Sequence, residues 1–187
     1  MKEDRHMSNI GSRDLVLGGS AAALMAVIAQ ISIPMPTGVP LTLMVFGVTL
    51  IGVVLGWKLG GIAIGIYLLC GAVGLPVFAN FGGGFSRLAG LSGGYLWSFP
   101  ALAMLAGIRP RTGNHHLSLA VTMLFALVGL AIVETIGGVQ WSLLSGGSMS
   151  LPGVFAYSMV AFVPKDMILT VAAVLVGNEM KKRLPEF

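Results

Sequence analysis

The sequence predicts an all-α membrane protein with six transmembrane helices joined by glycine-rich outer loops. Three observations predict it. Of the 187 residues, 56% are apolar and only 10% are charged, whereas a soluble domain carries about 25% charged residues. A globule so poor in charge cannot cover its surface. The apolar residues also form continuous runs, without the alternation of a barrel strand. Finally, the basic residues gather on one side of those runs, as the positive-inside rule requires of cytoplasmic connections.

The six runs cover residues 15–33, 41–57, 59–79, 91–108, 117–139 and 151–177. Most reach the roughly 20 residues that cross a core of about 30 Å as helix. The first follows a polar tail of mixed charge, residues 1–14, with no cleavable signal pattern. A second methionine, Met7, is an alternative start. The second run is the shortest, and Lys58 separates it from the third. Arg109 and Arg111 separate the fourth from the fifth. Lys181, Lys182 and Arg183 follow the sixth, in a basic tail over 179–187. With Lys2, Arg5 and Arg13, nine of the 11 basic residues fall on one side. Arg87 alone falls on the other, and Lys165 lies inside the sixth run. Five or seven spans would destroy this asymmetry. Residues 15–178 therefore read as one membrane domain, with both termini in the cytoplasm and the protein in the cell membrane.

The outer connections are then 34–40 (PMPTGVP), 80–90 (NFGGGFSRLAG) and 140–150 (QWSLLSGGSMS). All are rich in Gly, Pro or Ser, which supply turns and close backbone approach. An elaborate outer face on so small a chain suggests capture of something from outside.

Several function classes are excluded. The one cysteine, Cys70, permits no intrachain disulfide and no multi-cysteine metal site. The net charge of +4 reports orientation here, not nucleic-acid binding. Gly82-Gly83-Gly84 lacks the Lys-Ser/Thr of a phosphate-binding loop. No Ser/His/Asp set shares a face, and His6, His115 and His116 lack ligand spacing. No catalytic residue, cofactor or metal is expected. If the chain drives transport, the energy comes from a partner or an ion gradient.

Ionisable residues inside a membrane are functional candidates, because burying a charge there is costly. Glu134, Lys165 and Asp166 qualify. Glu134 lies near the outer end of its run, within reach of the headgroups. Lys165 can snorkel or pair with Glu134. Asp166 is short, lies about midway along its run, and so faces protein. Adjacent helix positions point about 100° apart, so Lys165 and Asp166 are not expected to pair. Arg87, set among glycines, suits a carboxylate. Tyr95 can stack on a ligand and donate a hydrogen bond. Trp97 and Trp141 suit either ligand contact or an interfacial belt. Gly18, Ala22 and Ala26 form a small-residue stripe that lets another helix approach closely.

The stretches 33–43 (IPMPTGVPLTL), 71–79 (GAVGLPVFA), 90–96 (GLSGGYL), 138–143 (GVQWSL) and 162–166 (FVPKD) together carry a family pattern over about residues 14–182. In this the chain resembles the BioY family, the biotin-specific substrate-binding subunits, or S components, of energy-coupling factor (ECF) transporters. The resemblance implies an S-component type bundle that binds biotin near its outer face. It implies two kinds of partner, a transmembrane coupling subunit (T component) and two cytoplasmic ATPases. Gly18, Ala22 and Ala26 match the family's docking stripe, Asp166 its sixth-helix aspartate, and Tyr95 the tyrosine after the paired glycines. Two positions depart from the pattern. Leu169 stands where the family has lysine, and Met44 where it has glutamine.

Biotin suits the set chemically. Asp166 accepts from its ureido N–H groups, and Asn80 can donate or accept. Arg87 or Lys165 neutralises its carboxylate, and Tyr95 and Trp141 line its apolar parts. A biotin-like carboxylate, lipoate or dethiobiotin, fits the same class. A small membrane enzyme lacks a paired acid/base set. A purely structural subunit leaves the sixth-run aspartate unexplained.

Overall fold

The computed structural model describes residues 11–110 and 113–183. Lys2, Arg5, His6, Met7, Arg111 and residues 184–187 lie outside the described residues. Seven α-helices are present among those described: α1 (Ser12–Ala29), α2 (Met44–Ala72), α3 (Phe85–Leu88), α4 (Gly93–Ala106), α5 (His115–Leu144), α6 (Leu151–Ala161) and α7 (Val163–Arg183). Asn114 caps α5 by accepting from the His116 and Leu117 amides, and Ser150 caps α6 by accepting from the Gly153 amide.

By length and apolar character both α2 and α5 can cross a membrane as single helices, but α2 is not one rod. Gly56 sits at φ 81°, ψ 172°, a conformation open to glycine. In an unbroken helix Gly52 and Gly60 would be about 12 Å apart along the axis. Instead, a Cβ built on Gly60 would lie 2.9 Å from the Gly52 Cα. The chain therefore reverses at Gly56, beside Lys58, and the segments 44–55 and 57–72 are the second and third passes. The inner end of α4 packs on this turn, because a Cβ at Gly107 would stand 2.3 Å from the Trp57 amide nitrogen.

With α1, α4, α5 and the α6–α7 pair, the chain runs the bundle six times. Arg13, Lys58, Arg109, Lys181, Lys182 and Arg183 all stand at one end of it. Segment 44–55 and α4 are only about 18 and 21 Å long by helical rise. The room left at the opposite end is filled by the connections. There Ser32–Ile33 (β1) and Leu41–Thr42 (β2) pair antiparallel, Ser32 with Thr42 and Ile33 with Leu41. These four residues were expected at the ends of the first two runs. Pro34 disfavours helix at Ile33, and Pro40 disfavours it at Val39, so the connection between the two strands is not helical. A 3-10 turn at Ala79–Phe81 packs alongside. Gln30 holds that turn by donating to the Phe78 carbonyl (3.2 Å) and accepting from the Phe81 amide (2.9 Å).

The sixth run is broken, not continuous. α6 and α7 meet at 51°. Pro164 is the cause, since proline fits the first turn of a helix but not its interior. The break places Asp166 in the first turn of α7 instead of midway along a span.

The largest core joins α1, α2, α4 and α5, while Trp141, Val154, Phe162 and Val39 form a second. Large apolar side chains also cover the outside, among them Val16, Val27, Leu124, Ile168 and Val160, the last 82% exposed. A surface so apolar is a lipid-facing surface, and the chain is a membrane protein.

The α1 stripe expected to dock a partner is turned inward. Ala22 lies in the main core, Ala26 packs against it, and a Cβ at Gly18 would touch Ile66 of α2. Small residues at this spacing invite a helix, and here the helix is the chain's own. Ala22→Trp is accordingly expected to lower thermal stability and ligand binding together. Loss of transport with native stability and binding would show that Ala22 faces a partner.

Candidate ligand-binding site

A cavity of about 240 Å³ opens at the end of the bundle opposite the basic cluster. Its roof is the β1–β2 connection, through Pro34, Met35, Gly38, Val39 and Pro40. One wall is the 3-10 turn, a second is the start of α4, and the floor is made by Glu134 of α5 and the first turn of α7. Irregular backbone at this depth is tolerated because it is paired and lines a cavity. Phe78 and Gly82, for example, exchange backbone hydrogen bonds at 2.9 and 3.2 Å.

Five of the six residues expected at a ligand come together here: Asp166, Lys165, Asn80, Arg87 and Tyr95 all line the cavity. Asn80 occupies the left-handed region at φ 56°, which Asn tolerates better than most residues. Its Oδ1 accepts from the Ser32 hydroxyl at 3.0 Å, so its side-chain NH₂ is left as donor. Arg87, exposed on α3, lies across Gly82; a Cβ there would be 2.9 Å from the Arg87 Nε. The Tyr95 ring lies against Gly137, where any Cβ would collide with it at 2.4 Å.

Trp141 is the exception. It is 1% exposed and lines no part of the cavity. It stands behind Phe162, ring to ring at 6.0 Å, with Tyr157 at 5.7 Å. Phe162 is the aromatic surface that the ligand would meet. Hydropathy cannot order two aromatics along a line of sight.

Lys165 and Asp166 do pair, contrary to expectation, with Nζ 2.6 Å from Oδ1. Both lie in the first turn of α7, just past the 51° bend from α6. The four methylenes of Lys165 let the ammonium curl back to its neighbour. The same ammonium donates to the Thr42 carbonyl at 2.8 Å, tying α7 to β2. The helix N-terminus adds a favourable field for the Asp166 carboxylate. Of the two departures noted in the sequence, Met44 lines the cavity. Leu169 does not, and Lys165 supplies a cation from the preceding turn.

Glu134 is also at the cavity, not at the headgroups. It is 8% exposed, and its Oε2 has no hydrogen-bond partner among the described residues. Phe78, Phe99 and Phe162 supply apolar lining that the sequence did not single out. The arrangement pairs a small, largely apolar volume with carboxylates on the floor and a guanidinium at the rim. That combination is chemically able to hold a polar ring at one end and an anion at the other.

Known proteins share this fold and are similar in sequence. A crystallised S component for biotin from an ECF-type ABC transporter superposes with a TM-score of 0.77, at 26% identity over 91% of each chain. The biotin transporter BioY of Thermotoga maritima is 38% identical over 91% of this chain and 96% of its own. That of Rhizobium etli is 34% identical over 94% and 97%. The model of the BioY family matches residues 1–186, and the chain belongs to the BioY family.

Proposed function

We propose that this chain captures biotin from outside the cell as the substrate-binding subunit of an ECF-type transporter. The observation that carries this reading is the cavity itself. It sets Asp166 and Lys165 at its floor, Asn80 on a wall and Arg87 at its rim. The ureido ring sits at the floor, where Asp166 accepts from an N–H and the Asn80 amide donates to the carbonyl. The valerate chain runs along Phe162 and Tyr95, and its carboxylate meets Arg87. Calorimetric titration of the purified protein tests this. One biotin per chain is the expected result. Saturable binding of lipoate with none of biotin overturns it.

Transport then needs partners, a transmembrane coupling subunit and two cytoplasmic ATPases, a reading supported by the likeness to the S component of an ECF-type ABC transporter. Residues 15–178 form the membrane domain, between cytoplasmic tails 1–14 and 179–187. The clustering of Lys58, Arg109, Lys181, Lys182 and Arg183 at one end of the bundle supports cytoplasmic termini. In a Cys70→Ser background, Ser86→Cys is expected to react with an impermeant thiol reagent added outside, and Asn114→Cys is not. The reverse pattern inverts the orientation.

A further inference from the structure

Glu134 forms part of the cavity floor but makes no contact with biotin in the pose proposed above. It projects from α5, on a different helix from Asp166. It is more than nine-tenths buried, lines the same volume, and carries an oxygen without a hydrogen-bond partner among the described residues. The nearby charged and titratable groups do not neutralise it by contact. Lys165 is committed to Asp166 and to the Thr42 carbonyl. Tyr95 comes from α4, and Asp166 carries the same charge as Glu134. A buried carboxylate oxygen left unpaired is costly, so such a group persists where a ligand completes it.

The chemistry of the missing partner follows from this geometry. A cyclic urea presents two N–H groups that diverge on either side of its carbonyl. One carboxylate cannot receive both, but two carboxylates on separate helices can. We propose that Glu134 is a specificity-determining residue, accepting from the second ureido N–H while Asp166 accepts from the first. The cavity thereby selects a cyclic urea over a ring without donors, such as the dithiolane of lipoate. Rejection of such an isostere is strong, because it leaves buried acceptors unpaired. This inference rests on the reading of the cavity as a biotin site.

The test compares biotin with 2-iminobiotin, whose ring is a cyclic guanidine that carries a positive charge when protonated. The native protein is expected to bind both. Glu134→Gln keeps the shape and removes the charge. It is expected to weaken biotin by about 10- to 150-fold, and iminobiotin by about tenfold more than that. Glu134→Asp, which keeps the charge but withdraws it, is expected to weaken biotin while retaining the native ratio between the two ligands. It serves as the second variant if Glu134→Gln does not fold. Equal losses for the two ligands in Glu134→Gln, or a changed ratio in Glu134→Asp, would give Glu134 a structural role and overturn the proposal. So would unaltered binding in either variant, or a native protein that takes biotin and refuses iminobiotin. A native protein that binds neither ligand overturns the biotin reading along with it. The two failures are thus told apart by the native titration alone.

Discussion

Asp166→Asn is expected to weaken biotin binding by about 10- to 150-fold, the worth of a charge-assisted hydrogen bond, and to lower stability as well. Asp166 is 4% exposed and holds Lys165 at 2.6 Å. The asparagine amide cannot neutralise that ammonium, and its uncharged oxygen is a weaker acceptor for a ureido N–H than a carboxylate. Breaking a fully buried ion pair costs about 3–5 kcal/mol. Here the stability loss is smaller, because the Lys165 side chain remains 29% exposed and keeps its bond to Thr42. Calorimetry for affinity and thermal unfolding in detergent for stability measure the two losses separately.

The double variant Lys165→Met/Asp166→Leu decides what the pair is for. It removes both charges together and leaves neither unpaired, so stability is expected to return part of the way toward the native value, short of it by the lost Lys165 bond to the Thr42 carbonyl. Affinity is not expected to return, since the Asp166 acceptor on the cavity floor is gone. Recovery of native affinity would show that the pair serves only to tie α7 to β2, and that the ligand sits elsewhere.

The sequence revealed the six passes and where they turn, and it did so through charge. Lys58 marks the reversal at Gly56, and Arg109 marks the next turn at the same end. What it hid lies where helical hydropathy carries no directional information. The runs around Ile33 and Leu41 are apolar enough for helix, yet pair as strands on either side of a proline-rich connection. Pro164 was visible in the sixth run, but the run's uniform hydropathy masked the break that it causes. The Lys165–Asp166 pair was hidden too, because the long lysine stem reaches a neighbour that regular helix geometry points away from it. For the site, the polar residues were legible, because charge and amide groups are rare in apolar runs. Among the aromatics Tyr95 was legible, but Trp141 lies behind Phe162, which lines the cavity in its place. Glu134 was visible as a buried acid, but its neighbours were not. Gly18, Ala22 and Ala26 announced a close helix contact without saying which helix makes it.

The glycines that give the bundle its close packing make the other large effect testable. Gly94→Leu is expected to prevent α4 and α5 from packing and to destabilise the protein by more than the ~1–3 kcal/mol usual for overpacking. A Cβ at Gly94 would stand 2.6 Å from the Ile136 carbonyl oxygen and 3.0 Å from the Gly137 Cα. Both are backbone atoms of α5, so no side chain can swing aside, and the helices must separate along their whole contact. The site feels this directly. Tyr95 follows Gly94 and lies against Gly137, while Glu134 is one turn back on α5. Separation would carry the Tyr95 ring away from Phe162, 6.4 Å distant between ring centres, and move Glu134 from Asp166. Gly94→Ala, with a smaller clash, is expected to fold but to bind biotin more weakly. Gly65→Leu is the control. A Cβ there meets nothing within 4 Å, and relief of the glycine penalty in a helix is worth up to about 1 kcal/mol. Thermal unfolding in detergent should therefore place Gly65→Leu at or above the native protein and Gly94→Leu far below it. If Gly94→Leu unfolds with the native protein, α4 and α5 are not in backbone contact, and the wall that holds Tyr95 is not built as described.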